Sequence, residues 1–307
     1  MILTSPWMPG SGKVLVGSGE GSRTLIGVRS RSAVRAILAP VTISPETVTR
    51  GADMRELLAT TEHRPWPLPG SPWVMFQRWH ELLFAHWPVA AEEVQRLLPP
   101  GLELELFEGQ AWVGVVPFRM TQVRLRGTPA LPWLSAFEEL NVRTYVRHGE
   151  LPGVWFFSLD ARNPLAVRIA RSWFHLPYFR ARMRLEERAG EVHYRSERRH
   201  AGAPPAELRM SYAPIAPPER SRPGTLEHFL TERYRLYASD PQGALLAGDI
   251  HHRPWPLQRA RARFELNTMA EASGIRLPAS EPRLHFAREL DVLIWPPRVS
   301  ASSAAPR

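Results

Sequence analysis

The feature that most constrains the fold is a long succession of strand-like segments, separated by glycine-containing turns and interrupted by few helices. Short turns at 108–110, 148–150 and 189–190 are typical of hairpin connections. Many strands with few, separated helices predict an α+β, β-rich domain built on a large antiparallel sheet or barrel. The predicted strands cover residues 81–87, 102–107, 111–118, 140–146, 154–159, 181–187, 192–197, 245–252 and 284–294.

Three helices are predicted between these strands. A short amphipathic helix covers 90–98 and ends before a Pro-Pro-Gly sequence. Asn163 is placed to cap a second helix that begins at Pro164 and ends at Trp173. A third helix is predicted over 226–237, with the Thr225 side chain as its cap.

The two ends of the chain differ in composition from the rest. Residues 1–53 are rich in Gly, Ser, Thr and Arg without a sustained hydrophobic period, so we expect a disordered extension. Met54 opens a helical segment and is a candidate for the true initiator, the alternative being a flexible native tail. Residues 54–298 are predicted to form a single domain, and residues 299–307 a disordered tail.

The net charge of +9 raises the question of nucleic-acid binding. Residues 1–52 hold six of the 39 basic and two of the 30 acidic residues, which leaves 33 basic and 28 acidic residues in the remainder. Arginines scattered among acids do not form the basic surface that phosphate binding needs. No apolar run approaches the ~20 residues of a membrane span, and no secretory signal is present. We therefore expect a cytoplasmic protein with neither nucleic acid nor a membrane as partner.

The residue types present exclude several mechanisms. The chain has no cysteine, and Lys13 is its single lysine, so the predicted domain lacks thiol and Schiff-base nucleophiles. It also lacks a phosphate-binding loop and a Gly-x-Ser-x-Gly motif. His251 and His252 are adjacent and face opposite sides of a strand, and no spacing of metal ligands supports a metal site. No cofactor or metal is expected.

The most informative strand runs from Glu139 to Tyr145. Alternation places Glu139, Asn141, Arg143 and Tyr145 on one face. A face with an acid, an amide, a guanidinium and a phenol is polar enough to line a pocket, where Arg143 binds an anion and Glu139 acts as acid or base. The alternative is a Glu139–Arg143 contact on a solvated sheet face, which would contribute little.

Three motifs resemble a known superfamily. They are Glu-Leu-Asn-Val-Arg-Thr-Tyr-Val at 139–146, Gly-Val-Trp-Phe-Phe-Ser-Leu-Asp-Ala at 153–161 and His-His-Arg-Pro-Trp-Pro-Leu-Gln at 251–258. The chain resembles acetoacetate decarboxylase-like proteins over residues 73–297, and within them the uncharacterised family called domain of unknown function 2071. The resemblance implies a cone-shaped double β-barrel with a few peripheral helices and a buried pocket.

The resemblance also indicates what has been lost. In the decarboxylases a lysine pair follows a proline after the helix, and the corresponding residues here are Tyr178 and Phe179. The glutamate that shapes the decarboxylase site corresponds to Glu139, whereas a second acidic residue expected near Val113 is missing. The resemblance therefore implies the pocket without Schiff-base decarboxylation.

Together these features predict a barrel that binds a small molecule, an organic acid or a carbonyl compound, and that is either an enzyme or a non-catalytic ligand sensor. Nucleic-acid binding is a third, less favoured interpretation, and the oligomeric state stays open. Tyr178 either points its phenol into the pocket or only packs beside it. The candidate residues are Glu139 and Tyr178 for catalysis, and Arg143, Asn141, Tyr145, Trp155, Phe157 and His251 for ligand binding.

Overall fold

Strands dominate the computed structural model, which describes residues 53–131 and 133–300. The helices are α1 (53–59), α2 (Ala91–Gln95), α3 (Pro164–Trp173) and α4 (Leu226–Thr231). The strands are β1 (Met75–Val89), β2 (Glu103–Leu104), β3 (Ala111–Leu125), β4 (Phe137–His148), β5 (Leu151–Ala161), β6 (Tyr178–Arg188), β7 (Glu191–Arg198), β8 (Glu207–Pro214), β9 (Arg235–Ser239), β10 (Leu245–His251), β11 (Gln258–Asn267), β12 (Arg283–Ile294) and β13 (Arg298–Val299). The β-rich class predicted from the sequence is confirmed.

The predicted disordered ends, 1–53 and 299–307, lie almost entirely outside the described residues. Asp53 belongs to α1 and Val299 to β13, each one residue inside a predicted tail. The segment from Met54, expected to be helical, lies in α1. Within 53–131 and 133–300, no helix combines the length and apolar character needed to cross a membrane.

The strands join into two closed circuits of hydrogen-bonded neighbours. The first circuit contains seven strands in the order β1-β3-β4-β5-β9-β10-β12, because β10 pairs with β12. The second contains nine strands and passes from β5 through β6, β7, β8 and β11 to β12. Both circuits use β12, β1, β3, β4 and β5, which therefore form a common wall.

The pleat of β4 sends its side chains into two different cores. Phe137 and Tyr145 belong to the core inside the first circuit, whereas Leu140 and Val142 belong to the core inside the second. All four side chains are buried. A strand buried on both faces has no solvated side, so the polar residues on β4 are also enclosed.

Two predicted elements are wrong. The predicted hairpin between 102–107 and 111–118 does not form, because β2 pairs with β4 and only an isolated bridge from Phe107 to Gln110 closes the turn. The helix predicted over 226–237 ends at Thr231, as the buried segment Arg235–Ser239 instead forms β9 between β5 and β10. Backbone pairing with two strand edges overrides the helical periodicity there. In contrast, α3 and its Asn163 cap match the prediction.

One glycine makes room for two large side chains on the common wall. Gly114 of β3 lies directly between His86 of β1 and Arg143 of β4 in the strand register. A Cβ atom at Gly114 would lie 2.8 Å from ring atoms of His86 and 3.6 Å from Cγ of Arg143. The glycine therefore permits His86 and Arg143 to lie side by side.

We expect Gly114→Ala to lower the free energy of unfolding by about 1–3 kcal/mol, because His86 is buried and cannot move away. Urea unfolding measures the effect. Gly70→Ala is the matched control, since no atom lies within 4 Å of its added Cβ. Equal stability of the two variants would contradict this account of the wall.

Candidate functional site

A cavity of about 540 Å³ lies inside the first circuit of strands. Every strand of that circuit contributes to its lining, and α3 covers one side. The volume is within the range of small-molecule sites. Most of the wall is apolar, with Trp79, Leu82, Val116, Phe118, Met120, Phe137, Val154, Phe156, Leu159, Leu236 and Trp255 among the lining residues.

A row of polar side chains crosses this apolar wall. Glu139, Asn141 and Arg143 of β4 line the cavity, in the alternation predicted from the sequence, and Tyr178 lines it from the start of β6. The three β4 residues are buried, so the alternative of a solvated Glu139–Arg143 contact is wrong. Their roles in binding and catalysis stay predictions.

Glu139 is held in a neutral form by its surroundings. The Tyr178 hydroxyl donates a hydrogen bond of 2.8 Å to Glu139 Oε2. Burial raises the pKa of Glu139 to about 8, with a smaller contribution from the charge of Asp160, although the bond from Tyr178 opposes the rise. Burial also raises the pKa of Tyr178 well above its usual value. At neutral pH the pair therefore presents a carboxylic acid and a phenol to the cavity.

Arg143 is a buried cation without an ionic partner. Its Nη2 donates to Leu230 O at 3.1 Å and to the Tyr145 hydroxyl at 3.4 Å, and its Nε has no hydrogen-bond partner within the described part of the chain. Among the described residues no carboxylate forms an ion pair with it. Since arginine does not lose its proton in proteins, this charge stays uncompensated.

A hydrogen-bonded network fixes Arg143 from behind. The Tyr145 hydroxyl donates to Leu230 O at 2.7 Å and lies 2.5 Å from His86 Nε2. Because the hydroxyl has one proton, His86 Nε2 is the donor in the second contact. Burial and then the charge of Arg143 lower the pKa of His86 well below its usual value, so the ring is neutral. The network supplies dipoles, not a counter-charge.

Comparison with known proteins decides the family. A model for DUF2071, described as an uncharacterised conserved protein, matches residues 76–291. The uncharacterised protein YqjF of Bacillus subtilis (strain 168) is 46% identical over 231 residues, which cover 75% of this chain and 94% of YqjF. The chain belongs to the DUF2071 family.

Solved structures with the same fold have low sequence identity to this DUF2071 protein. The enduracididine biosynthesis enzyme MppR, complexed with pyruvate, has a TM-score of 0.53 at 12% identity, covering 78% of this chain and 95% of MppR. Acetoacetate decarboxylase from Legionella pneumophila has a TM-score of 0.51 at 14% identity, covering 80% of this chain and 95% of the decarboxylase. These likenesses confirm the acetoacetate decarboxylase-like fold.

Two aromatic residues predicted for the cavity wall of this DUF2071 protein lie elsewhere. In the β4–β5 register Phe156 is opposite Arg143 and shares its face, whereas Trp155 is opposite Thr144 and faces away. Phe157 is the extra residue of a β-bulge and packs in the second core. Phe156 therefore takes the place predicted for Trp155 and Phe157.

Tyr145 and His251 also do not line the cavity. Tyr145 lies behind Arg143 and acts through the network with His86. His251 is buried against α1, where its Nε2 lies 2.7 Å from Leu57 O. The next residue, His252, lines the cavity instead, as does Arg233. The sequence motif at 251–258 pointed to the histidine pair, but no periodicity signalled Arg233 or the structural role of His86.

The pKa of Glu139 makes a testable contribution to stability. Its native value of about 8 lies above the ~4.3 of an exposed glutamate, so the unfolded chain loses this proton at a lower pH than the native protein. Stability contributed by the protonated group is therefore lost as pH rises through this interval.

The quantity to compare is the difference in unfolding free energy between the wild type and Glu139→Gln. We expect this difference to fall between pH 5 and pH 8, as the wild type loses stability. The fall is on the order of 4 kcal/mol, since one pKa unit corresponds to about 1.4 kcal/mol. Urea unfolding at several pH values measures it. Glu265→Gln, at an exposed position on β11, is the control and gives a flat difference. A flat difference for Glu139→Gln as well would show that Glu139 ionises normally.

Proposed function

We propose that this protein binds an organic acid or a related carbonyl compound in the cavity. Arg143 holds the anionic group, and the apolar wall covers the rest of the ligand. The Glu139–Tyr178 pair gives a proton to the bound ligand or takes one from it. The observation that carries the proposal is the buried, uncompensated Arg143 in a cavity whose wall is mostly apolar.

An unpaired buried cation favours an anionic ligand on energetic grounds. Removing a charge from water costs several kcal/mol unless a partner restores the lost interactions. Leu230 O and the Tyr145 hydroxyl restore part of them through Nη2. A carboxylate supplies the remaining hydrogen bonds together with the opposite charge, and the planar guanidinium is suited to bind it through two nitrogens.

The chemistry at Glu139 follows from its raised pKa. An acid with a pKa of about 8 is mostly protonated at neutral pH and still ionises readily, which suits general acid–base catalysis. Proton transfer to a ligand carbonyl, or from the carbon beside it, needs no covalent intermediate. None of the described residues is a lysine, so a Schiff base is not part of the proposal.

The ligand and the activity of two structural neighbours support an organic acid as ligand. MppR is described as complexed with pyruvate, an oxo acid, and another neighbour is an acetoacetate decarboxylase. A non-catalytic ligand sensor is the second candidate. It is favoured by the cavity's lack of a thiol or an amine nucleophile among the described residues. Turnover by Glu139→Gln distinguishes the two, because an enzyme loses rate whereas a sensor loses at most affinity.

We expect carboxylates from a library of organic acids and ketones to raise the melting temperature of the full-length wild type. Arg143→Met should weaken binding of these carboxylates at least about 30-fold, since removing one partner of a buried charge pair costs about 2–5 kcal/mol. Thermal shifts followed by isothermal titration calorimetry measure the loss.

Arg182→Met is the matched control, because Arg182 is exposed on β6 and does not line the cavity. It should bind as the wild type does. Carboxylate binding that survives Arg143→Met unchanged would contradict the proposed anion site.

A further inference from the structure

The polar groups of the cavity are spread along β4 instead of being gathered at one point. Glu139 and Arg143 are four residues apart on one face, which corresponds to about 13 Å at ~3.3 Å per residue. Asn141 lies midway between them. Arg143 further extends away from Glu139, since its Nη2 contacts Leu230 and Tyr145. A compact acid bound to Arg143 therefore leaves most of the distance to Glu139 unfilled.

The two ends of the cavity differ in exposure and polarity. At the Arg143 end the lining residues Thr231 and Arg233 are buried. At the opposite end Arg124 and Thr128 also line the cavity, but the four large side chains there that are between 37% and 44% exposed are all apolar. They are Leu125, Leu131, Ile169 and Trp173. The cavity is thus closed at the end where Arg143 and Arg233 lie, and open and mostly apolar at the other.

Asn141 provides an independent sign that a ligand passes the middle of the cavity. Its side chain is buried and lines the cavity, and its Oδ1 has no hydrogen-bond partner in the described structure. A buried amide oxygen without a partner is costly, on the order of 1–3 kcal/mol. A group of the ligand that lies between Arg143 and Glu139 can satisfy it.

We propose that the ligand is an elongated amphipathic anion, and not a compact acid. Its carboxylate lies against Arg143, its middle passes Asn141 and Glu139, and its apolar end points to the mouth formed by Leu125, Leu131, Ile169 and Trp173. This proposal rests on the proposed function, because it needs Arg143 as the anion site. It assigns the ligand class and the direction in which the ligand lies.

A homologous series of straight-chain acids tests the proposal on the full-length protein. The probes are butanoate, octanoate and dodecanoate, used below the concentrations at which they form micelles, with calorimetry at pH 7. Each added methylene that enters the apolar wall should raise the association constant up to about fourfold. We expect at least about a 100-fold rise from butanoate to dodecanoate, after the cost of ordering the chain.

Two variants on one face of α3 test the direction of the chain. Ile169→Ser should lower the ratio of the dodecanoate to the butanoate association constant about fivefold, because Ile169 lines the open half of the cavity. Leu165→Ser is the matched control on the same helix, with similar exposure but no place in the lining. It should leave the ratio unchanged.

Each outcome decides between the two proposals. If affinity rises with chain length in the wild type, and Arg143→Met weakens binding of every acid in the series, both the anion site and the elongated ligand are supported. If butanoate binds through Arg143 but affinity stays level or falls with length, the elongated ligand is excluded while the anion site stands. If no acid of the series binds, the anion site itself is wrong, and the elongated ligand with it.

Discussion

Strand β4 belongs to the common wall between two cores, and from Phe137 to Val146 its side chains are buried on both faces. One set of its side chains, including Leu140 and Val142, packs in the second core, so the other set must project into the first circuit. A one-residue slip would bury Glu139, Asn141 and Arg143 in the second core, which strongly disfavours any other register. Hydrophobic packing on the opposite face of β4 therefore determines where the polar row lies, and with that row the polar part of the cavity.

Burial removes solvating water from the polar row and from His86, and this shared cause explains the protonation states of both Glu139 and His86. It keeps Glu139 protonated at neutral pH and His86 neutral. Arg143 cannot respond in the same manner, because its proton does not leave, so it stays charged among dipoles from Tyr145 and Leu230. The protein thereby holds a neutral acid and a cation without a counter-charge in one cavity. An anion completes that arrangement, whereas a neutral apolar molecule would leave the cation uncompensated.

Some features of the fold and of the cavity could be predicted from the sequence, because they depend on local patterns. Alternation along β4 and the Asn163 cap of α3 are decided within a few residues, and both predictions match the structure. The side on which Phe156 lies could not be predicted, since it depends on the register between β4 and β5 and on the bulge at Phe157. The helix predicted over 226–237 reaches into the segment Arg235–Ser239, but that segment pairs with two distant strands, and no local pattern encodes those partners.

The most direct test of the central claim is a crystal structure of the full-length protein with 12-bromododecanoate, located by the anomalous signal of bromine. We expect the carboxylate within hydrogen-bonding distance of Arg143 and the bromine peak on the side of Glu139 that faces Leu131 and Trp173. A bromine peak beside Arg143, with the carboxylate at the open end, would contradict the direction of binding. An acid bound only outside the cavity would contradict the site itself.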